Sequence, residues 1–158
     1  MGKFNENWQN KLEIDIKGTT SLADIDKATW APLSEGIQTI TPAAAETADT
    51  TPYYSGEGFS DVDVTGKAIT FAIAGHRLDG DAAQDYIASK FTSVGDTLRT
   101  LARWTAPNGD KVQFVATLQA IVPFGGAANV KQTFSFTLAA NGKPQAVPAT
   151  TTPGGDQG

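Results

Sequence analysis

The segment LRTLARWTAPNGDKVQFVATLQAIV, residues 98–122, decides the fold class of this chain. Its centre, Asn108-Gly109, separates two runs that are rich in β-branched and aromatic residues, and this is the strongest short-range signal for a β-hairpin. In the second run every other residue is apolar, and these residues share one face of a strand: Val112, Phe114, Ala116 and Leu118. The segment therefore predicts two antiparallel strands with one buried face.

The same alternation predicts further strands on both sides of this hairpin. They are expected at residues 11–17, around Ile25, and at residues 37–41, 61–65, 69–74 and 131–139. Between them, residues 42–58 are rich in Ala, Thr, Pro and Gly, which predicts a long loop. Gly66-Lys67 is predicted to form a turn, Asn141-Gly142 to end the last strand, and residues 143–158 to form a flexible arm.

One α-helix is predicted at residues 81–94. Asp81 and Gln84 have the spacing of a capping box, and Gly95 is a suitable stop. Three apolar residues share the helix face that should pack on the strands: Ala83, Ile87 and Phe91. The whole pattern predicts a mainly-β domain of two packed antiparallel sheets, as a sandwich or open barrel, with one flanking helix.

The composition restricts the chemistry that the chain can perform. It has 158 residues, enough for one domain with a sizeable core, no cysteine and a single histidine. Disulfides, thiolate metal sites and multi-histidine metal centres are therefore excluded. The net charge of -5 argues against tight binding to nucleic acid phosphates. The chain has no run of about 18 apolar residues, so no membrane span is predicted. No secretion signal is apparent either, so we expect synthesis in a cytoplasm.

The motifs that could carry chemistry have simpler explanations. Gly66-Lys67 is followed by Ala68 where a phosphate loop needs Ser or Thr, so an exposed turn is favoured. The acidic residues at positions 79, 81 and 85 lack the ligand set of a calcium loop, and helix capping accounts for them better. His76 has no nucleophile motif beside it. We therefore expect no enzymatic activity, no metal and no cofactor.

Three stretches resemble the major tail tube proteins of siphophages that infect Gram-positive bacteria. They are TPYYSGEGFSDVDVTGKAITFAIAGHR, GDAAQDYIAS and IVPFGGAANVKQTFSFTLAANGKP, which occur in the order of that family and span residues 51 to 144. The hairpin turn WTAPNGDK also fits. The resemblance implies a tail-tube fold related to that of type VI secretion tubes, with residues 1–142 as a single domain and residues 1–10 as an N-terminal arm.

The resemblance also implies a function and its partners. Copies of the chain would form hexameric rings that stack into a hollow tube in the virion, through which phage DNA passes into the host. The lumen would also hold the tape measure protein, and tail terminator and distal tail proteins would cap the tube ends. Contact with a membrane or with specific DNA sequences is not implied.

A tube subunit needs residues between rings and residues along the lumen. The loop at 42–58 is the candidate inter-ring element, and its candidate contact residues are Glu46, Asp49, Tyr53, Tyr54 and Phe59. An acidic lumen would repel phosphates and let DNA slide. The candidate lumen-facing acids are Asp61, Asp63, Glu13 and Asp15.

Two other functions remain open at this point. A small β-sandwich could bind carbohydrate on a bacterial or phage surface through a platform of aromatic residues: Trp8, Trp30, Trp104, Tyr53 and Tyr54. These residues are scattered along the chain, which favours packing roles instead. An enzyme on a β-barrel is the second alternative, and the poor supply of catalytic residues disfavours it.

Overall fold

A computed structural model of the protein describes residues 2–149. It contains one α-helix, α1 (Ala82–Ser89), and short 3₁₀ turns at Asn7–Gln9, Leu22–Lys27, Tyr54–Gly56 and Gly95–Leu98. The strands are β1 (Lys11–Asp15), β2 (Trp30–Pro32), β3 (Ile37–Pro52), β4 (Ser60–His76), β5 (Arg99–Thr105), β6 (Lys111–Val122) and β7 (Thr133–Val147). The mainly-β fold class with one helix is confirmed.

All seven strands form one antiparallel sheet in the order β2-β1-β5-β6-β7-β4-β3. The expectation of two separate sheets is therefore replaced by a single sheet that curls. Phe71 of β4 lies 6.2 Å from Trp104 of β5, measured between ring centroids, although β6 and β7 separate their strands in the sheet. Flat strands would hold these positions about 14 Å apart at about 4.8 Å per strand. The sheet is thus an open barrel whose two edges, β2 and β3, are unpaired in the described chain.

The core lies inside this curled sheet. The hairpin predicted at Asn108-Gly109 joins β5 to β6, and its predicted inward residues Phe114, Ala116 and Leu118 are all buried. The rings of Phe71 and Phe114 stack at 5.6 Å. From β7, Phe134, Phe136 and Leu138 enter the same cluster, as their alternation predicts.

Helix α1 is shorter than predicted. The Asp81 side chain caps it by accepting a hydrogen bond from Gln84 N at 3.1 Å, and Ala83 and Ile87 are buried against the core. The helix ends at Ser89, so Phe91 lies beyond it and remains 57% exposed. The prediction that Phe91 packs into the core is wrong, because the helical spacing that would align it with Ile87 is lost one turn too early.

Gln84 performs a different role from the one the capping-box spacing predicts. Its side chain is buried, its Oε1 accepts from Leu78 N at 2.7 Å, and its Nε2 donates to the carbonyls of Glu35 and His76, each at 3.1 Å. Its side chain thereby ties the helix to the end of β4 and to the loop before β3. Nearby, a Cβ on Gly75 would clash with the Gly36 carbonyl oxygen, so the close approach of these segments requires glycine.

Four local predictions are corrected. The segment around Ile25 is a 3₁₀ turn and not a strand. Gly66-Lys67 continues β4, with a register shift opposite Thr47 and Ala48 in place of a turn. Asn141-Gly142 lies inside β7, which runs on to Val147, so the first residues of the predicted 143–158 arm are strand. Residues 150–158 of that arm lie outside the described part of the chain.

The largest correction concerns residues 42–58. Most of this predicted loop is β3, which pairs with β4 from Ile37 to Pro52. The sequence pattern does not indicate this strand, because neither of its faces is buried and its Ala, Thr and acidic residues therefore show no alternation of apolar and polar positions. Cross-strand hydrogen bonds, and not burial, define this part of the hairpin.

Candidate functional site

The outer half of the β3–β4 hairpin projects from the barrel as a two-stranded ribbon. Strand β4 pairs with β7 only from Thr70 to His76, whereas residues 60–69 pair with β3 alone. We call residues 44–69 the arm. Nine residues of strand, 44–52, reach about 30 Å at about 3.4 Å per residue.

No residue of the arm is buried. An isolated two-stranded hairpin is at best marginally stable in water, because it has no core of its own. The arm therefore contributes little to the stability of the barrel, and its exposed faces are available to a partner. Three of its predicted contact residues form its end, where Tyr53, Tyr54 and Phe59 are 55%, 105% and 81% exposed.

One face of the arm is acidic. Asp61 and Asp63 are two residues apart on β4, so their side chains share a face, and Asp49 lies directly opposite Asp63 in the register. Like charges placed opposite each other destabilise a β-ladder. No salt bridge neutralises these three carboxylates within residues 2–149, although Asp49 accepts a hydrogen bond from the Thr51 hydroxyl at 3.1 Å.

The other face of the arm is apolar. Val62 and Val64 are 63% and 49% exposed, and their register partners are Thr50 and Ala48. At the base of the arm, Glu46 pairs with Lys67 at 3.5 Å. The arm thus separates an acidic face from an apolar face, a division that the sequence pattern Asp-Val-Asp-Val at residues 61–64 already contains.

The end of the arm is a defined turn. The amide of Gly56 donates to the Tyr53 carbonyl at 3.0 Å, and the amide of Phe59 donates to the Gly56 carbonyl at 3.0 Å. Glu57 takes the left-handed conformation with φ 54°, which is unfavourable for a residue with a side chain. This turn holds the aromatic side chains at the extreme end of the arm, and we call residues 53–59 the tip.

A groove lies where the two ends of the curled sheet approach each other. It has two adjacent lobes of about 210 and 200 Å³ between β1 and β3, which share lining residues such as Leu12 and Ile40. The inner lobe is lined mainly by apolar side chains: Leu12, Ile40, Pro42, Phe71 and Trp104. Its rim is polar, with Asn7, Asn10 and Lys11, and Asn10 Oδ1 accepts from the Trp104 indole N–H at 3.0 Å.

The structure removes Asp15 from the candidate lumen-facing acids. Its side chain is fully buried and accepts backbone hydrogen bonds from Lys17, Thr19 and Thr29 at 2.8, 2.8 and 2.9 Å. Burial raises the pKa of the Asp15 carboxyl, but the hydrogen bonds from Thr19, Lys17 and Thr29 outweigh it and hold the pKa below its usual range. Asp15 fastens the loop between β1 and β2.

Glu13 is also engaged within the subunit. Its Oε1 accepts from Arg103 Nε at 2.9 Å and lies 2.8 Å from Arg103 Nη2. The Arg103 guanidinium in turn covers the Trp30 ring at 4.2 Å from its centroid. Among the four candidate lumen acids, the acidic face of the arm therefore holds the two with free carboxylates, Asp61 and Asp63.

The aromatic residues of a possible carbohydrate platform are dispersed. Tyr53 and Tyr54 lie on the tip, Trp30 lies under Arg103, and Trp8 and Trp104 line the groove. They do not form one surface on which a sugar could stack. Within residues 2–149 no group of acidic or histidine side chains could hold a metal ion, and no helix is long and apolar enough to span a membrane.

The sequence places Glu46, Asp49, Tyr53, Tyr54 and Phe59 in one segment, and the structure places all of them on the arm. Sequence reasoning missed Val62 and Val64 as surface residues, since their alternation with Asp suggests a half-buried strand. It also missed the groove, whose walls come from four segments that are far apart in the chain. No local sequence signal could have located it, because it depends on the strand register that places Leu12 opposite Trp104.

Comparisons with known proteins establish the fold. No protein-family model and no curated protein matches the chain. Among solved structures, a chain in the tail of an empty gene transfer agent particle, determined by helical refinement with C6 symmetry, matches with TM-score 0.71 and 14% identity over 91% of this chain and 99% of that chain. A chain in the virion of a native gene transfer agent particle matches with TM-score 0.68 and 13% identity over the same shares. The protein therefore has the fold of a chain from the tail of a gene transfer agent particle.

Proposed function

We propose that the protein is a tail tube subunit of a long-tailed bacteriophage or phage-like particle. Copies form hexameric rings, and the rings stack into a hollow tube that conducts DNA. The observation that supports this proposal most strongly is the arm. It is a paired ribbon about 30 Å long without one buried residue, so it does not stabilise an isolated subunit and is available for contacts between subunits. The C6 symmetry of the tail that shares the fold supports six-fold rings.

The open barrel supports ring formation through its edges. The outer edge of β3 presents unpaired backbone groups over a 16-residue strand, which exposes a subunit to uncontrolled pairing. A contact with the edge of a neighbouring copy covers those groups. Head-to-tail contacts that close by rotation give a ring, and contacts that do not close give a filament. A stacked tube uses both kinds.

The two faces of the arm suggest how it lies in a tube. The apolar face with Val62 and Val64 packs on neighbouring copies, and the acidic face with Asp49, Asp61 and Asp63 is directed to the lumen. Carboxylates there repel DNA phosphates, so that DNA slides without sticking. The proposed partners are the tape measure protein in the lumen and the tail terminator and distal tail proteins at the tube ends. The subunit is made in the bacterial cytoplasm and becomes part of the virion. It assigns no enzymatic activity to the chain.

Shortening the arm tests the function. Residues 48–65 are replaced by the two-residue turn Asn-Gly, which then joins the paired residues Thr47 and Gly66 as a hairpin turn requires. We expect a folded subunit with an unchanged melting midpoint by far-ultraviolet circular dichroism, and no tubes by negative-stain electron microscopy at concentrations where the wild type forms them. The matched control replaces Asn108-Gly109 by Asp-Gly, which leaves the arm intact and should leave tubes unchanged. Persistent wild-type monomers, or normal tubes without the arm, contradict the proposal.

A further inference from the structure

We infer that the apolar groove between β1 and β3 receives the aromatic tip of the arm from a second copy of this chain. This inference rests on the proposed self-assembly and adds the receiving surface to it. The tip supplies three exposed aromatic side chains, Tyr53, Tyr54 and Phe59. The groove supplies an inner lobe that is lined mainly by apolar side chains.

The occupant must come from another molecule. Ile40 and Pro42 at the base of β3 form one wall of the groove, and the strand then runs away from it. Pro42 and Pro52 are ten positions apart along the paired strand, which corresponds to about 34 Å at about 3.4 Å per residue. Because β3 and β4 are paired throughout this length, the tip cannot fold back into the groove of its own chain.

The polarities of the two surfaces match. Aromatic side chains gain most when their rings are buried while a polar edge stays hydrated, and the groove offers an apolar wall beneath a rim of Asn7, Asn10 and Lys11. The floor already contains two aromatic rings in contact, Phe71 and Trp104, at 6.2 Å. A third ring extends this cluster by the offset or edge-to-face contacts that aromatic pairs prefer.

The charges also match. Between residues 47 and 66 the arm carries Asp49, Glu57, Asp61 and Asp63 and no Lys or Arg, which gives a formal charge of -4. The groove lining carries one charged residue, Lys11, and no acid. Lys11 lies 6.0 Å from the Trp8 ring centroid and forms no salt bridge within residues 2–149. A negatively charged arm is therefore attracted to this groove.

Such a contact propagates. An apolar knob on one part of a molecule and an apolar pocket on another part form a heterologous contact, and each added copy again offers a free knob and a free pocket. The arm's length separates the knob from the pocket, so successive copies are displaced along one direction. The same contact that buries the tip thereby produces a filament axis.

Cysteine pairs test the contact directly, because the chain has no cysteine of its own. Ser55→Cys places a thiol on the tip and keeps its three aromatic residues, while Ser34→Cys places one on the groove wall. The two variants carry tags of different size, are mixed, assembled and oxidised with diamide. We expect a mixed disulfide about tenfold above that of the control pair, because a defined contact raises the effective thiol concentration.

The control pair is Ser55→Cys with Thr92→Cys, which lies in the exposed loop after α1 and outside the groove. Tubes in the micrographs without a tip–groove disulfide above this control overturn the groove assignment and leave the tube function intact. If neither tubes nor the tip–groove disulfide form, both the groove assignment and the tube function are overturned. A tip–groove disulfide without tubes supports the contact and overturns the tube function.

A charge reversal tests the electrostatic part with the same readout. Lys11→Glu should lower the yield of the mixed disulfide severalfold, because it places a negative charge on the groove rim that faces a negatively charged arm. Lys143→Glu changes the net charge equally but lies on β7, outside the groove lining, and should leave the yield unchanged. Equal yields for both variants contradict the role of Lys11.

Discussion

The two halves of β4 have opposite environments. From Phe71 to Gly75 its inward residues are buried, and it pairs with β7 on one side and β3 on the other. From Ser60 to Ile69 it pairs with β3 alone, and no residue is buried. In both halves apolar residues alternate with other residues. The side chains of Phe71 and Ile73 are buried in the core, whereas those of Val62 and Val64 are exposed to solvent.

This difference separates the residues that fold the subunit from those that serve assembly. A substitution in the inner half changes the free energy of unfolding, because packed interiors tolerate little loss of volume. A substitution of Val62 or Val64 in the outer half removes no contact with the core, so its consequences must be measured on the polymer. The predictions below ask whether the two halves can be separated in this way.

The largest expected effect comes from the core. Phe134→Ala removes a fully buried ring that packs 5.7 Å from Phe136, and it should lower the free energy of unfolding by about 3–5 kcal/mol. Urea denaturation followed by tryptophan fluorescence measures this change. The same substitution on the arm, Phe59→Ala, should leave the unfolding midpoint in place, since Phe59 is 81% exposed. A similar loss for both variants would break the division between core and arm.

The core half of this comparison could be predicted from the sequence. Alternation placed Phe114, Leu118 and Phe134 on buried faces, and Asn108-Gly109 located a hairpin, because each signal is local to one or two strands. The curl of the sheet and the groove were not predictable, since they depend on contacts between strands far apart in the chain. Leu12 and Ile40 line one groove only because the sheet brings its two ends together.

The arm half was located but misread as a loop at residues 42–58. Its position in the chain and its aromatic tip residues were visible, but strand formation without burial leaves no hydrophobic period. The helix length failed for a related reason. Phe91 fits the helical spacing, yet the helix ends at Ser89, and a spacing argument contains no information on where tertiary contacts stop.

An intermediate effect is expected from a buried carboxylate. Asp15→Asn retains the side-chain volume but replaces one acceptor oxygen with an NH₂ group that faces backbone donors. The free energy of unfolding should fall by about 1–3 kcal/mol at neutral pH, because a buried donor loses its partner. Thermal denaturation measures it, and the control is Asp49→Asn on the arm, where the loss of like-charge repulsion should leave stability equal or slightly higher.

The pH dependence distinguishes this role from simple packing. The pKa of Asp15 is lower in the folded protein than its ordinary value of 3.8. Its ionised form therefore stabilises the fold fully above pH 3.8, and this contribution is lost as the pH falls through the lower folded value. The difference in unfolding free energy between wild type and Asp15→Asn should shrink below pH 3.8. A difference that stays constant down to acid pH would show that the carboxylate charge is not what fastens the loop.

The smallest effect on stability, and a large effect on assembly, is expected from the apolar face of the arm. Replacing Val62 and Val64 by Thr keeps the β-branched shape and strand propensity, so the unfolding free energy should change by less than about 0.5 kcal/mol. On the same strand, Ile73→Thr places a hydroxyl at a site that is 1% exposed and should cost more than about 2 kcal/mol. If the apolar face packs on a neighbouring copy, sedimentation should show less polymer for the double variant while monomer melting stays unchanged. An unchanged amount of polymer would show that the apolar face does not contribute to assembly. The tip and the β3 edge would then be the contacts of the arm.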